Sequence, residues 1–396
     1  MDRTLRGRSR ILILSTIAMM ISFMAWSVLS PIAGEIQKIY GLSATERSLL
    51  IAVPVILGSV FRIPMGILTD KFGGKKIYTM TMLFLLIPLV GAGLSHSYYS
   101  LMFWAFLIGM GGTTFAVGIA YVSKWYPAEK QGLVLGLVAL GNLGTGLAGF
   151  ILPTVEQALG LDWVFYTLAV ALLIVTAIFW AGTKEYPVKG ESKTLKESLS
   201  VIKLKETWVL SLFYFLTFGG FVAFGIYLPT LLQSVFGLSA ADSGARAAGF
   251  VFLATFIRPV GGYIADKLGA ARLLTFLFAG ILASAVLLSI MLNNFTMFTV
   301  GALSAALFVG LGNGAVFKLV PKVAPGNVGA VTGIVGAAGG LGGFFPPIAL
   351  GIVKDITGDY HLGFIFLAAF ALFCLIINLL QFNGNITKVH KDQKAV

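Results

Sequence analysis

The sequence predicts an all-α membrane protein: twelve transmembrane helices arranged as two pseudo-symmetric six-helix halves. Three observations carry this expectation. The chain is 58% apolar and only 11% charged, with a mean hydropathy of +0.93, whereas soluble domains are roughly half apolar and a quarter charged. Apolar runs fall at about 11–33, 46–68, 77–95, 101–123, 131–153, 163–182, 207–233, 243–265, 272–292, 295–317, 328–353 and 362–382, each near the roughly 20 residues that cross a hydrocarbon core. Finally, one charged stretch occurs twice, 196 residues apart.

Taken in order, Arg3, Arg6, Arg8 and Arg10 precede the first run. That run is too long for a signal-peptide core, and no small-residue cleavage site follows, so it reads as an uncleaved first helix. The second run ends in Arg62-Ile63-Pro64-Met65-Gly66-Ile67-Leu68-Thr69-Asp70-Lys71-Phe72-Gly73. The eighth ends in Arg258-Pro259-Val260-Gly261-Gly262-Tyr263-Ile264-Ala265-Asp266-Lys267-Leu268-Gly269. Lys124 and Pro127 after the fourth run match Lys318 and Pro321 after the tenth, at an offset of 194. Gly136 matches Gly333, and Asp162 matches Asp359, at an offset of 197, which implies three extra residues near Lys322 to Pro325. Lys184 to Glu206, rich in Lys and Glu, reads as a linker (184–206) between an N-terminal half (1–183) and a C-terminal half (207–396). Duplicated six-helix halves are a carrier architecture.

The net charge of +12 is distributed as a topology signal rather than as a nucleic-acid surface. Placing the N-terminus in the cytoplasm puts 22 of the 28 Lys and Arg in cytoplasmic segments, with Lys38, Arg47, Arg246 and Lys354 outside. Both termini are therefore expected in the cytoplasm. The single cysteine, Cys374, lies in an apolar run and forms no internal disulfide.

The two cations left over are Arg62 and Arg258. Arg62 lies eight residues before Asp70, about 12 Å up a helix at 1.5 Å per residue, which sets it near the midplane; the repeat sets Arg258 there too. A cation at that depth faces a cavity or a partner. All 16 Asp and Glu, and His96, His361 and His390, fall in tails, loops or helix ends, so no intramembrane carboxylate is expected to pair with either. Two readings remain: guanidinium groups satisfied by backbone carbonyls and water, or a facing pair that holds an anion. The planar, permanently charged fork suits a planar oxyanion. No nucleophile, metal cluster or acid/base pair appears in the runs, so an enzyme, a metal site and a bound cofactor are not expected.

Below the arginines, Gly66 and Asp70, like Gly262 and Asp266, fit a loop in which the glycine admits a neighbouring helix and the aspartate meets a cation or helix N-terminus. The fifth and eleventh runs are rich in glycine, including Gly136, Gly144, Gly333 and Gly340, a density that allows helices to pack and slide closely. Asn142, inside Gly141-Asn142-Leu143-Gly144, is an amide in an apolar span and wants a polar partner.

The doubled loop motif resembles that of the major facilitator superfamily. The arginines of the second and eighth runs, the Gly-Asn-x-Gly phrase, Gly339-Gly340-Leu341-Gly342-Gly343-Phe344-Phe345-Pro346-Pro347 and Tyr214-Phe215-Leu216-Thr217-Phe218-Gly219 resemble its nitrate/nitrite porter branch across essentially the whole chain. That resemblance implies the major facilitator fold, a lipid-embedded carrier expected to be monomeric, and nitrate and nitrite as partners moved by alternating access across the cytoplasmic membrane. It implies that Arg62 and Arg258 bind the anion, with Tyr214, Asn142, Phe115, Phe218 and Phe23 around it. Gly66, Asp70, Gly262 and Asp266 then act in gating, with the glycines of the fifth and eleventh runs. The family includes nitrate/nitrite exchangers and proton symporters; facing arginines without a midplane carboxylate favour exchange. A carrier for another small anion is the alternative.

Overall fold

Every expected span is helical. The computed structural model describes residues 7–126, 134, 136–185, 200–319 and 328–383, and among them there is no strand. The spans are α1 (Arg8–Tyr40), α2 (Ala44–Thr69), α3 (Gly74–Gly93), α4 (Tyr98–Ser123), α5 (Gly136–Leu159), α6 (Leu161–Gly182), α7 (Lys205–Phe236), α8 (Ala240–Leu268), α9 (Ala270–Ile290), α10 (Phe295–Phe317), α11 (Gly333–Thr357) and α12 (His361–Gln381). α1 runs past its apolar stretch to Tyr40 before Gly41, at φ 63°, ends it. The expected linker falls mostly outside the described residues, as do Pro127, Gly132 and the extra residues near Lys322 to Pro325; α7 already begins at Lys205.

Helix starts follow local chemistry. Ser43 accepts from the Glu46 amide while the Glu46 carboxylate accepts from the Ser43 amide, a capping box that opens α2. Ser97, Ser239 and Asn294 cap α4, α8 and α10 with their side chains. The repeated motif ends the same way in both halves: Gly73 (φ 96°) and Gly269 (φ 84°) adopt a backbone that L side chains resist. Asp266 pairs with Lys318 at 2.8 Å, which joins the end of α8 to the residue after α10. The Asp70 side chain lies outside the described residues.

Irregularities gather at mid-depth. α1 turns after Trp26, α2 turns at Phe61, and α11 turns at Gly342 to Phe344. α4 tightens to a 3-10 turn over Gly109–Thr113, and α5 does so over Ala139–Asn142. Such breaks free backbone carbonyls inside the bilayer, where only buried partners can satisfy them.

α1, α2 and α5 of the first half meet α7, α8 and α11 of the second. Gly149 and Gly244 bring α5 and α8 into backbone contact: a Cβ on Gly244 would lie 1.8 Å from the Gly149 carbonyl. Among the described residues, polar bonds across this seam concentrate at the end remote from the Asp-Lys-x-Gly loops. The Ser30 hydroxyl donates to the Ile226 carbonyl, Ser48 and Tyr227 share a hydroxyl bond at 2.8 Å, and the Asp355 carboxylate accepts from the Ala44 and Thr45 amides at 3.2 and 2.9 Å. Close approach by a neighbouring helix is realised at Gly144, where a Cβ would sit 1.9 Å from the Met20 carbonyl, and at Gly340. It is not realised at Gly66, Gly136 or Gly333, which no atom of the described residues approaches within 4 Å of a built Cβ; at Gly262 the nearest is 3.9 Å away.

Candidate anion-binding site

Arg62 is the first residue of the lower segment of α2, after the turn at Phe61, and is only 3% exposed. The 3-10 turn of α4 offers it the Gly112 carbonyl, which accepts from Nε at 3.3 Å. Nη1 donates across the seam to the Gly336 carbonyl of α11 at 3.1 Å. Nη2 is buried and has no partner among the described residues. The carbonyl reading of the sequence therefore accounts for two nitrogens of this guanidinium and leaves the third unsatisfied. An unpaired donor on a buried cation is costly.

Aromatic rings supply the rest of its surroundings. The Arg62 Cζ lies 5.2 Å from the centre of Phe115 and 5.3 Å from that of Phe218, within cation–π range. Phe218 stacks on Tyr214, with centroids 5.0 Å apart and planes within 7°, as residues one turn apart on α7 can do. The Tyr214 hydroxyl accepts from Arg258 Nη2 at 3.1 Å. Arg258 lies 5.8 Å over Phe317, and Phe317 meets Tyr214 edge-on at 4.8 Å. The order Phe115, Arg62, Phe218, Tyr214, Arg258, Phe317 thus forms one contiguous array with a cation toward each end.

The two arginines are not equivalent, contrary to what the repeat suggests. α8 continues unbroken through Arg258, which is half-buried, whereas the Phe61 turn draws Arg62 into the seam. Among the described residues no carboxylate forms an ion pair with either; the pairs present are Lys38–Glu35, Arg246–Asp242 and Lys318–Asp266. No grouping of three or more metal-ligating side chains occurs among them.

Consecutive glycines let α11 pass through this site. A Cβ on Gly339 would strike the Tyr214 ring at 2.2 Å, and one on Gly340 would strike the Ser59 hydroxyl at 2.3 Å and lie 3.3 Å from Arg62 Nη1. Asn142 and Phe23 have other partners. The Asn142 amide donates to the Ala139 carbonyl at 2.7 Å, but its oxygen is buried without a partner. Phe23 packs on Trp26 with centroids 5.0 Å apart. Phe317 and the two carbonyls were not foreseeable: one phenylalanine in 32 carries no distinguishing signal, and a carbonyl acceptor has no side-chain signature.

Comparison with known proteins decides the family. The model of the Major Facilitator Superfamily matches residues 15–291 and 259–394. The chain belongs to the Major Facilitator Superfamily. It is 39% identical over 384 residues to the "Nitrite extrusion protein" of Bacillus subtilis (strain 168), covering 96% of each. It is also 39% identical over 386 residues to the "Probable nitrate transporter NarT" of Staphylococcus epidermidis, covering 97% of each. Within the superfamily the chain is therefore a member of the nitrate/nitrite porter branch that its motifs resemble, a multi-pass membrane transporter and not an enzyme. Solved folds agree. An inward-facing, unoccupied bacterial homologue of the human lysosomal transporter Spinster superposes with a TM-score of 0.74 at 18% identity, over 96% of this chain and 97% of that one. The human organic anion transporter MFSD10 does so with a TM-score of 0.75 at 13% identity, over 94% and 99%.

Proposed function

We propose that this superfamily member carries nitrate and nitrite by exchange, with Arg62 and Arg258 as the anion clamp. The observation that carries the reading is the orphan Nη2 of Arg62, buried at the seam near a second arginine, with no carboxylate among the described residues ion-paired to either. A planar oxyanion bridging the two guanidinium groups would satisfy that donor and offset the repulsion between the cations. It would stack against Phe115 and Phe218 and accept from Arg258 alongside the Tyr214 hydroxyl.

The anion also competes with the protein itself. Arg62 Nη1 is tied to Gly336 of the opposite half, so an oxyanion that takes over this donor breaks the mid-seam bond between α2 and α11 and leaves the bonds at the outer end to part as the halves rock. An empty carrier keeps the tie, which favours exchange over net movement. With both termini cytoplasmic, the bonded end of the seam is the outer one and this state is closed to the outside.

Counterflow in proteoliposomes tests the reading. Vesicles loaded with nitrate should take up nitrite at symmetric pH, and Arg62→Lys should reduce the rate at least about tenfold, because an ammonium cannot reproduce the bidentate fork. Uptake that ignores internal nitrate and needs a pH gradient would replace exchange by proton symport. Full activity in Arg62→Lys would remove Arg62 from the clamp.

A further inference from the structure

We propose that Arg47 is a second oxyanion station, at the bonded end of the seam, which meets the transported anion when that end opens. The sequence counts Arg47, at the start of the second apolar run, among the cations outside the cytoplasm, yet it is only 6% exposed. Its donors are held by neutral groups alone. Nη1 donates to the Gln37 amide oxygen at 2.6 Å, and Nη2 to the hydroxyls of Ser234 at 3.1 Å and Tyr360 at 3.3 Å. Nε is buried with no partner among the described residues. The nearby acids are engaged elsewhere: Asp355 on Ala44 and Thr45, and Glu46 on the Ser43 amide.

Arg47 repeats the design of Arg62. Both are on α2, fifteen residues apart, or about 22 Å at 1.5 Å per residue. Both point into the seam, both donate to the opposite half, and both keep one buried nitrogen unsatisfied. Gln37 belongs to the same half as Arg47, whereas Ser234 and Tyr360 come from the other. Separation of the halves at this end removes the two hydroxyls and leaves a guanidinium with three free donor directions at the mouth of the opening cleft. A single cation in a narrowing low-dielectric cleft concentrates anions there, and its fork suits a planar oxyanion. Lys354, with its ammonium 5.4 Å over the Tyr360 ring, adds a second positive charge at the same mouth.

This inference rests on the anion-transport reading, and its test separates the two. Initial nitrate uptake into nitrite-loaded vesicles is measured against external nitrate concentration in right-side-out and inside-out orientations. Arg47→Gln should raise KM about tenfold from the side on which α2 begins, in line with loss of one charge-assisted contact, and leave the other side within twofold. Tyr360→Phe and Ser234→Ala, which weaken the closed seam and keep the charge, should leave both KM values within twofold. An unchanged KM in Arg47→Gln, an equal rise from both sides, or the same one-sided rise in Tyr360→Phe would overturn the station. Should Arg47→Gln fail to assemble, Arg47→Lys must show the one-sided rise, and its absence there is equally decisive. Wild-type vesicles that carry no nitrate would instead defeat the transport reading.

Discussion

Tyr214 is the residue through which the two arginines feel each other. Its hydroxyl holds Arg258, and its ring lies flat on Phe218, whose own ring sits beside Arg62. Removing the hydroxyl leaves Arg258 Nη2 without its partner and the stack intact. A hydrogen bond to a charged group contributes about 1.5–3 kcal/mol, so Tyr214→Phe should lower kcat/KM for nitrate roughly ten- to a hundredfold. The stacked ring should keep the protein folded, with thermal stability in detergent close to wild type. A variant that binds nitrate as tightly as wild type by isothermal titration would mean that the hydroxyl has no part in orienting the cation. At this scale the sequence was readable where a polar atom sat in an apolar run. Arg62, Arg258 and Tyr214 each needed an explanation at that depth, and each is in the array. Phe317 was not readable, because nothing but position separates it from the other phenylalanines. Arg47 was counted only as a cation outside the cytoplasm, because burial by the opposite half leaves no trace in the local sequence.

At the scale of elements, the twelve spans and the doubled motif were legible because hydropathy and length determine which segments cross a bilayer. The mid-depth breaks were not, since they arise from packing between helices rather than from residue preference. The glycines separate by geometry into two groups. Gly244 faces the Gly149 backbone so closely that even a methyl group must push α5 and α8 apart, and overpacking of this kind costs about 1–3 kcal/mol. Gly244→Ala should therefore lower the unfolding temperature in detergent and slow transport. Gly66→Ala and Gly333→Ala meet nothing within 4 Å among the described residues and should leave the unfolding temperature unchanged. If either of them nevertheless slows counterflow, that glycine is packed only in the opposite state, which would give the gating role expected of it a physical basis. A Gly244→Ala variant as stable and as fast as wild type would show that the α5–α8 contact relaxes freely.

At the scale of the whole molecule, the described residues join the halves by hydrogen bonds at one end of the seam and by the Arg62–Gly336 bond at its middle. Each such bond contributes about 0.5–1.5 kcal/mol net, so the bonded end holds by only a few kcal/mol, small enough for a ligand with differential affinity to shift. Alternating access requires those bonds to break in every cycle. Thr45 of α2 and Asp355 of α11 are bonded through their side chains, which makes them a direct handle on that requirement. In a background with the sole cysteine removed (Cys374→Ala), Thr45→Cys and Asp355→Cys joined by a short bifunctional thiol reagent should stop counterflow, and reduction of a cleavable linker should restore it. Thr275 and Asn378 are also bonded, at 2.9 Å, but both belong to the second half, on α9 and α12, so the same cross-link between Thr275→Cys and Asn378→Cys should leave transport running. Continued counterflow in fully cross-linked Thr45→Cys/Asp355→Cys protein would mean that the halves do not part at this end, and both the rocking mechanism and the assignment of this face as a gate would fall together.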